Sequence, residues 1–135
     1  MSLFVDTSVW SLVFRRDDHG DAPEAVRLID AIEDGDDILT TGIVLQELLQ
    51  GFRGAMQHDQ IIARFAAVPL LVPSRADFID AARVRNTCRQ RGVQVGTVDA
   101  LIAQMCLHYE LTMLTADRDF FRISAIFPLR VWNTH

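Results

Sequence analysis

Five short apolar runs constrain this chain more than any other feature: Leu3–Val5, Ile38–Thr41, Leu70–Val72, Thr112–Thr115 and Leu129–Val131. They lack the polar alternation of a half-exposed sheet, so they read as strands buried on both faces. Helical patterns separate them over Val9–Phe14, Ala22–Ile32, Ile43–Phe52, Asp59–Ala67, Asp77–Arg91 and Val98–Tyr109. In the second of these, Val26, Leu28, Ile29 and Ile32 recur at helical spacing. Gly35, Gly51 and Gly92 stand where helices can end. Pro69 and Pro73 bracket the weakest strand and place it at a sheet edge. Strands alternating with helices imply parallel pairing through right-handed crossovers. The expected fold is a three-layer α/β/α sandwich around a five-stranded parallel sheet. No repeat, low-complexity tract or linker divides residues 1–135, so one domain is expected.

What the chain lacks narrows its chemistry. No apolar run approaches the ~20 residues that span a bilayer, and no basic-then-apolar leader opens it, so a cytoplasmic location away from membranes is expected. Cys88 and Cys106 form no C-x-x-C pair and have no paired histidines nearby, which argues for buried, reduced thiols and against zinc. The sequence contains no lysine, which excludes a Walker A loop and Schiff-base chemistry. No G-x-G-x-x-G follows a strand, and no G-x-S-x-G is present. His19, His58, His108 and His135 have no evident serine or cysteine partner and read as structural or surface residues. Carboxylate chemistry remains.

In a parallel sheet, ligands bind beyond the carboxyl ends of the strands. Asp6 is the first residue after the first strand, and Asp117 follows "MLT" by two residues, on the same sheet edge. Asp99 is the only charge in "VDALIAQMCL", at the start of a helix that runs back toward that edge. Glu47 lies among Leu45, Leu48 and Leu49, with Gly51 one turn on to leave space beside it. Each acid also has a bland reading. Asp6, Asp99 and Asp117 are suitable helix caps, worth ~1 kcal/mol each, and Glu47 suits a solvated helix face. Caps alone do not explain why acids recur at equivalent ends of strands and helices. If they converge, each pair repels by ~4 kcal/mol at 4 Å and an effective dielectric near 20. A hard divalent cation removes that cost, magnesium or manganese being the natural choice for carboxylates.

The segments "FVDTSVW", "TTGIVLQELLQGF", "GVQVGTVDALIAQMCL" and "LTADRDF" together resemble the PIN domain, and most closely the VapC-type toxins of bacterial toxin–antitoxin pairs. The resemblance covers nearly the whole chain and implies a metal-dependent endoribonuclease using Mg2+, with Mn2+ as a substitute. It carries the acidic quartet onto Asp6, Glu47, Asp99 and Asp117, as catalytic residues and metal ligands. The supporting hydroxyl falls on Thr7 or Thr115, and Asp119 is a second acid in the last motif that can share the role of Asp117. On this reading Asp6 and Asp99 hold the cation directly, while Asp117 and Glu47 act through water or complete a second site. The implied partners are an RNA substrate, a VapB-like antitoxin and a second copy of the chain, giving a homodimer and, with antitoxin, a heterotetramer or larger assembly.

A net charge of −5 is unusual for an RNA-binding protein. Basic residues do cluster in "RVRNTCRQRG", so Arg83, Arg85, Arg89 and Arg91 are candidate RNA contacts, against a solvated face paired with Asp77 and Asp80. Arg15 and Arg16 precede "DDHGDAPE", an acidic stretch without the spacing of a calcium loop. Val9, Trp10 and Leu12 form an apolar stripe, suited to core packing or to a groove for an amphipathic partner helix. Two rivals to the nuclease stand. One is a catalytically silent PIN-like binding module. The other is a haloacid-dehalogenase phosphatase, which needs an aspartate where Ser8 stands and a lysine that is absent.

Overall fold

A computed structural model describes residues 2–15 and 22–134. Arg16, His19, His135 and most of the acidic stretch after Arg16 lie outside the described residues. The element order is β1 (Leu3–Val5), α1 (Thr7–Phe14), α2 (Pro23–Asp34), β2 (Ile38–Thr41), α3 (Gly42–Gly51), α4 (Ala55–Phe65), β3 (Leu70–Leu71), α5 (Arg75–Gln90), α6 (Thr97–His108), β4 (Thr112–Leu114), α7 (Arg118–Ser124) and β5 (Arg130–Val131). The strands form one sheet in the order β3-β2-β1-β4-β5, and every pairing is parallel. This is the expected α/β architecture, with β3 at an edge. None of the helices is long and apolar enough to cross a membrane among the described residues.

Strand order fixes where a site can form. The chain lays β2 and β3 on one side of β1, then crosses to place β4 and β5 on the other. The gap between the carboxyl ends of β1 and β4 is therefore a topological switch point, where loops leave in opposite directions and open a crevice.

The elements differ from expectation mainly at their ends. Helix α1 starts at Thr7, two residues before the apolar pattern begins, because Asp6 takes an extended N-cap conformation (φ −88°, ψ 175°) and the first turn is polar. Helix α4 starts at Ala55, since its first turn carries little periodicity and Met56 is 63% exposed. Strand β3 stops at Leu71 because Val72, before Pro73, already projects into solvent. Gly35 ends α2 in the left-handed region at φ 72°, where a side chain would be strained.

The core is built around β1, all three residues of which are completely buried. Val9 and Trp10 are also fully buried, and Trp10 packs against Phe14 and Phe65. Its indole Nε1 donates to the Val5 carbonyl at 3.1 Å, and Thr40 Oγ1 donates to the same oxygen at 3.1 Å. These two side chains fasten the end of β1 just before Asp6. The stripe Val9, Trp10 and Leu12 is thus not a partner groove: two of its three members are sealed inside, where no partner helix reaches them. Cys88 and Cys106 are buried free thiols.

On α5, Ser74 and Asp77 form a reciprocal capping box: Ser74 Oγ accepts from the Asp77 N–H, and Asp77 Oδ2 accepts from the Ser74 N–H. The other Asp77 oxygen meets His108 Nδ1 at 2.8 Å, joining α5 to α6. Asp77 is therefore turned inward rather than paired with the arginines of its own helix.

Replacing Trp10 with Phe deletes the donor to Val5 and leaves a void beside Phe65. The variant should lose about 2–3 kcal/mol of stability, read as a lower urea midpoint at unchanged slope.

Candidate active site

Asp6 is the innermost acid of the switch-point crevice, at 6% exposure. It occupies the N-cap position of α1, yet its side chain closes no cap hydrogen bond. Oδ1 instead accepts from Ser8 Oγ at 2.6 Å, and Oδ2 accepts from Thr115 Oγ1 at 2.8 Å. Each hydroxyl in turn accepts a backbone N–H: Ser8 from Ala116, and Thr115 from Asp117, both at 2.9 Å. Each hydroxyl keeps its single hydrogen to donate to Asp6, and the two hydroxyl oxygens lie 3.4 Å apart. Burial pushes the Asp6 carboxyl up to about 6, outweighing the lowering by these two hydroxyls, and the charge of Asp117 adds to the rise.

Asp99 comes from α6. Gly96 takes the N-cap position there, so Asp99 lies in the first turn and does not cap the helix. Its carboxyl is also pushed up to about 6, first by burial and then by the charges of Asp117, Asp6, Asp119 and Glu47. Asp117 does cap α7, accepting the Asp119 N–H at 2.9 Å. Capping uses only Oδ1, so the cap and a second role coexist. Asp99, Asp117 and Asp119 each present one oxygen such that all three lie within 4.8 Å of one another.

The tight trio thus contains Asp119, while Asp6 sits deeper with both oxygens engaged by hydroxyls. Glu47 is exposed on α3 and accepts from Thr7 Oγ1 at 2.6 Å. The two candidate hydroxyls therefore serve different acids: Thr7 holds Glu47 and Thr115 holds Asp6. A Cβ at Gly51 would meet nothing within 4 Å, so this glycine is not needed to make room beside Glu47.

The donor set suits a hard cation. Three half-exposed carboxylate oxygens converge without a buried counter-charge, and the only cation paired to the trio among the described residues is the exposed Arg122, 2.8 Å from Asp119. Oxygen-only donors of this kind fit magnesium or manganese rather than a thiolate- or imidazole-preferring metal.

Of the α5 arginines, Arg85 is tied into the fold, while Arg83 and Arg89 make exposed contacts within their own helix. Arg83 pairs with Asp80 at 3.0 Å, and Arg89 donates to Asn86 at 2.5 Å. Arg85 is half-buried, and its Nε donates to the Val95 carbonyl at 2.9 Å, tying down the loop that leads to α6. Arg91 takes the C-cap position of α5.

Sequence reasoning assigned Ser8 only the negative role of excluding a phosphatase. In the structure it bridges Asp6 and Ala116. The signal in "DTS" was partial: consecutive helical residues point ~100° apart, so the two hydroxyls opening α1 must serve different neighbours.

A family model for the PIN domain matches residues 3–126. The chain belongs to the PIN domain family. The VapBC2 structure from Rickettsia felis, bound to a DNA fragment from its promoter, matches with TM-score 0.77 at 21% identity, covering 98% of both chains. VapBC-1 from nontypeable Haemophilus influenzae matches with TM-score 0.75 at 19% identity, again over 98% of both chains. VapC20 from Mycobacterium tuberculosis, a sarcin-ricin loop cleaving toxin, matches with TM-score 0.67 at 22% identity over 93% of this chain and 95% of that one. At these identities the likeness is one of fold. Among curated proteins none matches this PIN chain.

The raised carboxyls make stability pH-dependent. Between the ordinary aspartate value of 3.8 and about 6, the unfolded chain has released protons that Asp6 and Asp99 retain in the fold. Stability therefore falls as pH rises through that window and levels off above it. Asp77, held below its ordinary value through its bonds to Ser74 and His108 despite burial, contributes a loss only at more acidic pH. Metal-free protein should melt higher at pH 5 than at pH 7, and Asp99→Asn should flatten that slope. Ser8→Ala leaves one Asp6 oxygen without its donor and should cost about 1–3 kcal/mol in chemical denaturation.

Proposed function

We propose that this PIN domain is a magnesium-dependent endoribonuclease and the toxic member of a toxin–antitoxin pair. The observation that carries the reading is the gathering of Asp6, Asp99, Asp117 and Asp119 at the switch point, with Glu47 close enough to raise Asp99. Structural acids are normally dispersed or paired with cations. Here four or five share one crevice at a cost to the fold, which favours a site kept for chemistry. The rival reading, a silent binding module, leaves that cost without a purpose.

Asp99, Asp117 and Asp119 would hold the divalent cation, which when bound activates water and neutralises charge on the phosphodiester. Asp6 keeps the crevice negative from below and, through Ser8 and Thr115, fixes the Ala116 and Asp117 backbone. Glu47, steadied by Thr7, stands at the exposed rim, where it can orient the attacking water. In-line attack would leave a 5′-phosphate and a 3′-hydroxyl.

The relatives supply the biological setting. VapC20 is a sarcin-ricin loop cleaving toxin, and VapBC2 is bound to a DNA fragment from its promoter. By analogy the partner of this chain is a VapB-like antitoxin, bound to a homodimer of it.

Purified protein should cut single-stranded RNA in magnesium and not in chelator. Asp99→Asn and Asp119→Asn should each lower the rate by about 100-fold or more, the scale of losing one stabilising group from a transition state. Magnesium at ~100 times its dissociation constant should stabilise the protein by ~2.7 kcal/mol in a thermal melt. Equal cleavage in chelator, or an Asn variant as fast as the parent, would refute the assignment.

A further inference from the structure

One wall of the crevice is shared with a second cavity. A pocket of about 730 Å³ is lined by Thr115, Ala116, Arg118, Phe121, Arg122 and Ala125 of the β4–α7 segment, together with Glu24 of α2. Thr115 and Ala116 are the residues through which Asp6 and Ser8 are bonded, so the pocket begins where the acidic site ends. Its volume falls in the range of small-molecule sites, enough for about one nucleotide.

The lining is unlike that of the acidic crevice beside it. Arg118 is exposed and has no ion-pair or hydrogen-bond partner among the described residues. Arg122 is exposed and holds Asp119 only through a solvent-facing i,i+3 pair, which a phosphate can displace. Phe121 stands between them in sequence at 38% exposure, a ring face left available on a helix whose other aromatic, Phe120, is buried. Two guanidinium forks and an open aromatic face are what a single nucleic-acid strand requires: phosphate contact from arginine, and a stacking platform for any base. In a protein of net charge −5, placing the exposed Arg118 and Arg122 beside an acid cluster gives the strand a foothold that the cluster itself refuses.

We infer that this pocket is the subsite for the nucleotide flanking the scissile phosphate of single-stranded RNA, with Arg118 and Arg122 on its phosphate and Phe121 against its base. The inference rests on the nuclease reading above and extends it to substrate positioning. Glu24, also in the lining, supplies a hydrogen-bond acceptor for an exocyclic amine or a ribose hydroxyl.

The test uses a fluorescent single-stranded RNA octamer, with cleavage kinetics in magnesium and anisotropy binding in chelator. Arg118→Gln should raise KM and weaken binding by about three- to tenfold with kcat within about twofold, and adding Arg122→Gln should weaken binding in chelator by a similar factor again, binding being the readout there because Arg122 pairs with Asp119. The slope of log affinity against log salt should become shallower by about 0.7 for each phosphate that is no longer neutralised. Phe121→Ala should weaken binding by about fivefold with the salt slope unchanged. Arg75→Gln, on an exposed residue of α5, is the control and should change neither. Because Arg118 has no partner among the described residues, its single variant separates substrate binding from structural damage. If the wild type cuts RNA and these variants bind and cut as it does, the subsite is wrong and the nuclease stands. If the wild type neither cuts nor binds the octamer, and the pocket instead takes an acidic peptide, the nuclease reading falls and the subsite falls with it.

Discussion

Two short relays hold the centre of this molecule together. The Ala116 N–H donates to Ser8, which donates to Asp6; the Asp117 N–H donates to Thr115, which donates to the other Asp6 oxygen. Together they stitch the β1–α1 turn to the β4–α7 turn just beyond the β1–β4 ladder, whose last backbone bond runs from the Asp6 N–H to the Leu114 carbonyl at 3.2 Å. They also use Asp6 as an anion, since both hydroxyls direct their hydrogens to it. Burial opposes this, because the charged form is desolvated, and the result is a carboxyl raised to about 6 despite two donors.

That balance explains the layering of the site. The deepest acid accepts one hydroxyl on each oxygen, which fixes its orientation while each oxygen keeps a second lone pair. The acids with a free oxygen, Asp99, Asp117 and Asp119, lie further out and half-exposed. Glu47 is furthest toward solvent and held by a single hydroxyl. Repulsion is thus spread from a dry floor to a wet rim, and only the middle layer is left with converging, partly desolvated oxygens. The strain falls where a cation relieves it most.

The fold was legible in the sequence because its signals are local. Uninterrupted apolar triplets, glycine stops and the prolines around β3 each report on their own neighbourhood, and alternation converts them into parallel topology. Element ends were less legible wherever a polar first turn began a helix, as at Thr7 and Ala55. The acids were legible by position, since Asp6 and Asp117 follow strands that must end at the same edge. What distance along the chain hid was how the carboxylates are shared out. Nothing in "DTS" says that Thr7 faces α3 while Ser8 faces β4, and nothing in "TADRD" says that the α7 turn brings Asp119 into the trio. The burial of Trp10 was equally hidden, because an apolar stripe looks the same whether a partner or the core covers it.

The same turn that recruits Asp119 also sets the charge of the neighbouring surface. Residues three apart on α7 share a face, so Asp119 brings Arg122 with it, while the intervening residues carry Phe120 into the core and leave Phe121 outside. A helix of 7 residues therefore caps itself with one acid, lends a second to the trio and presents its arginines on the adjoining wall. Acid and base are separated here by less than two helical turns. Such a boundary suits a polyanion that must be gripped on one side and brought against carboxylates on the other, and it arises from helical periodicity rather than from overall charge.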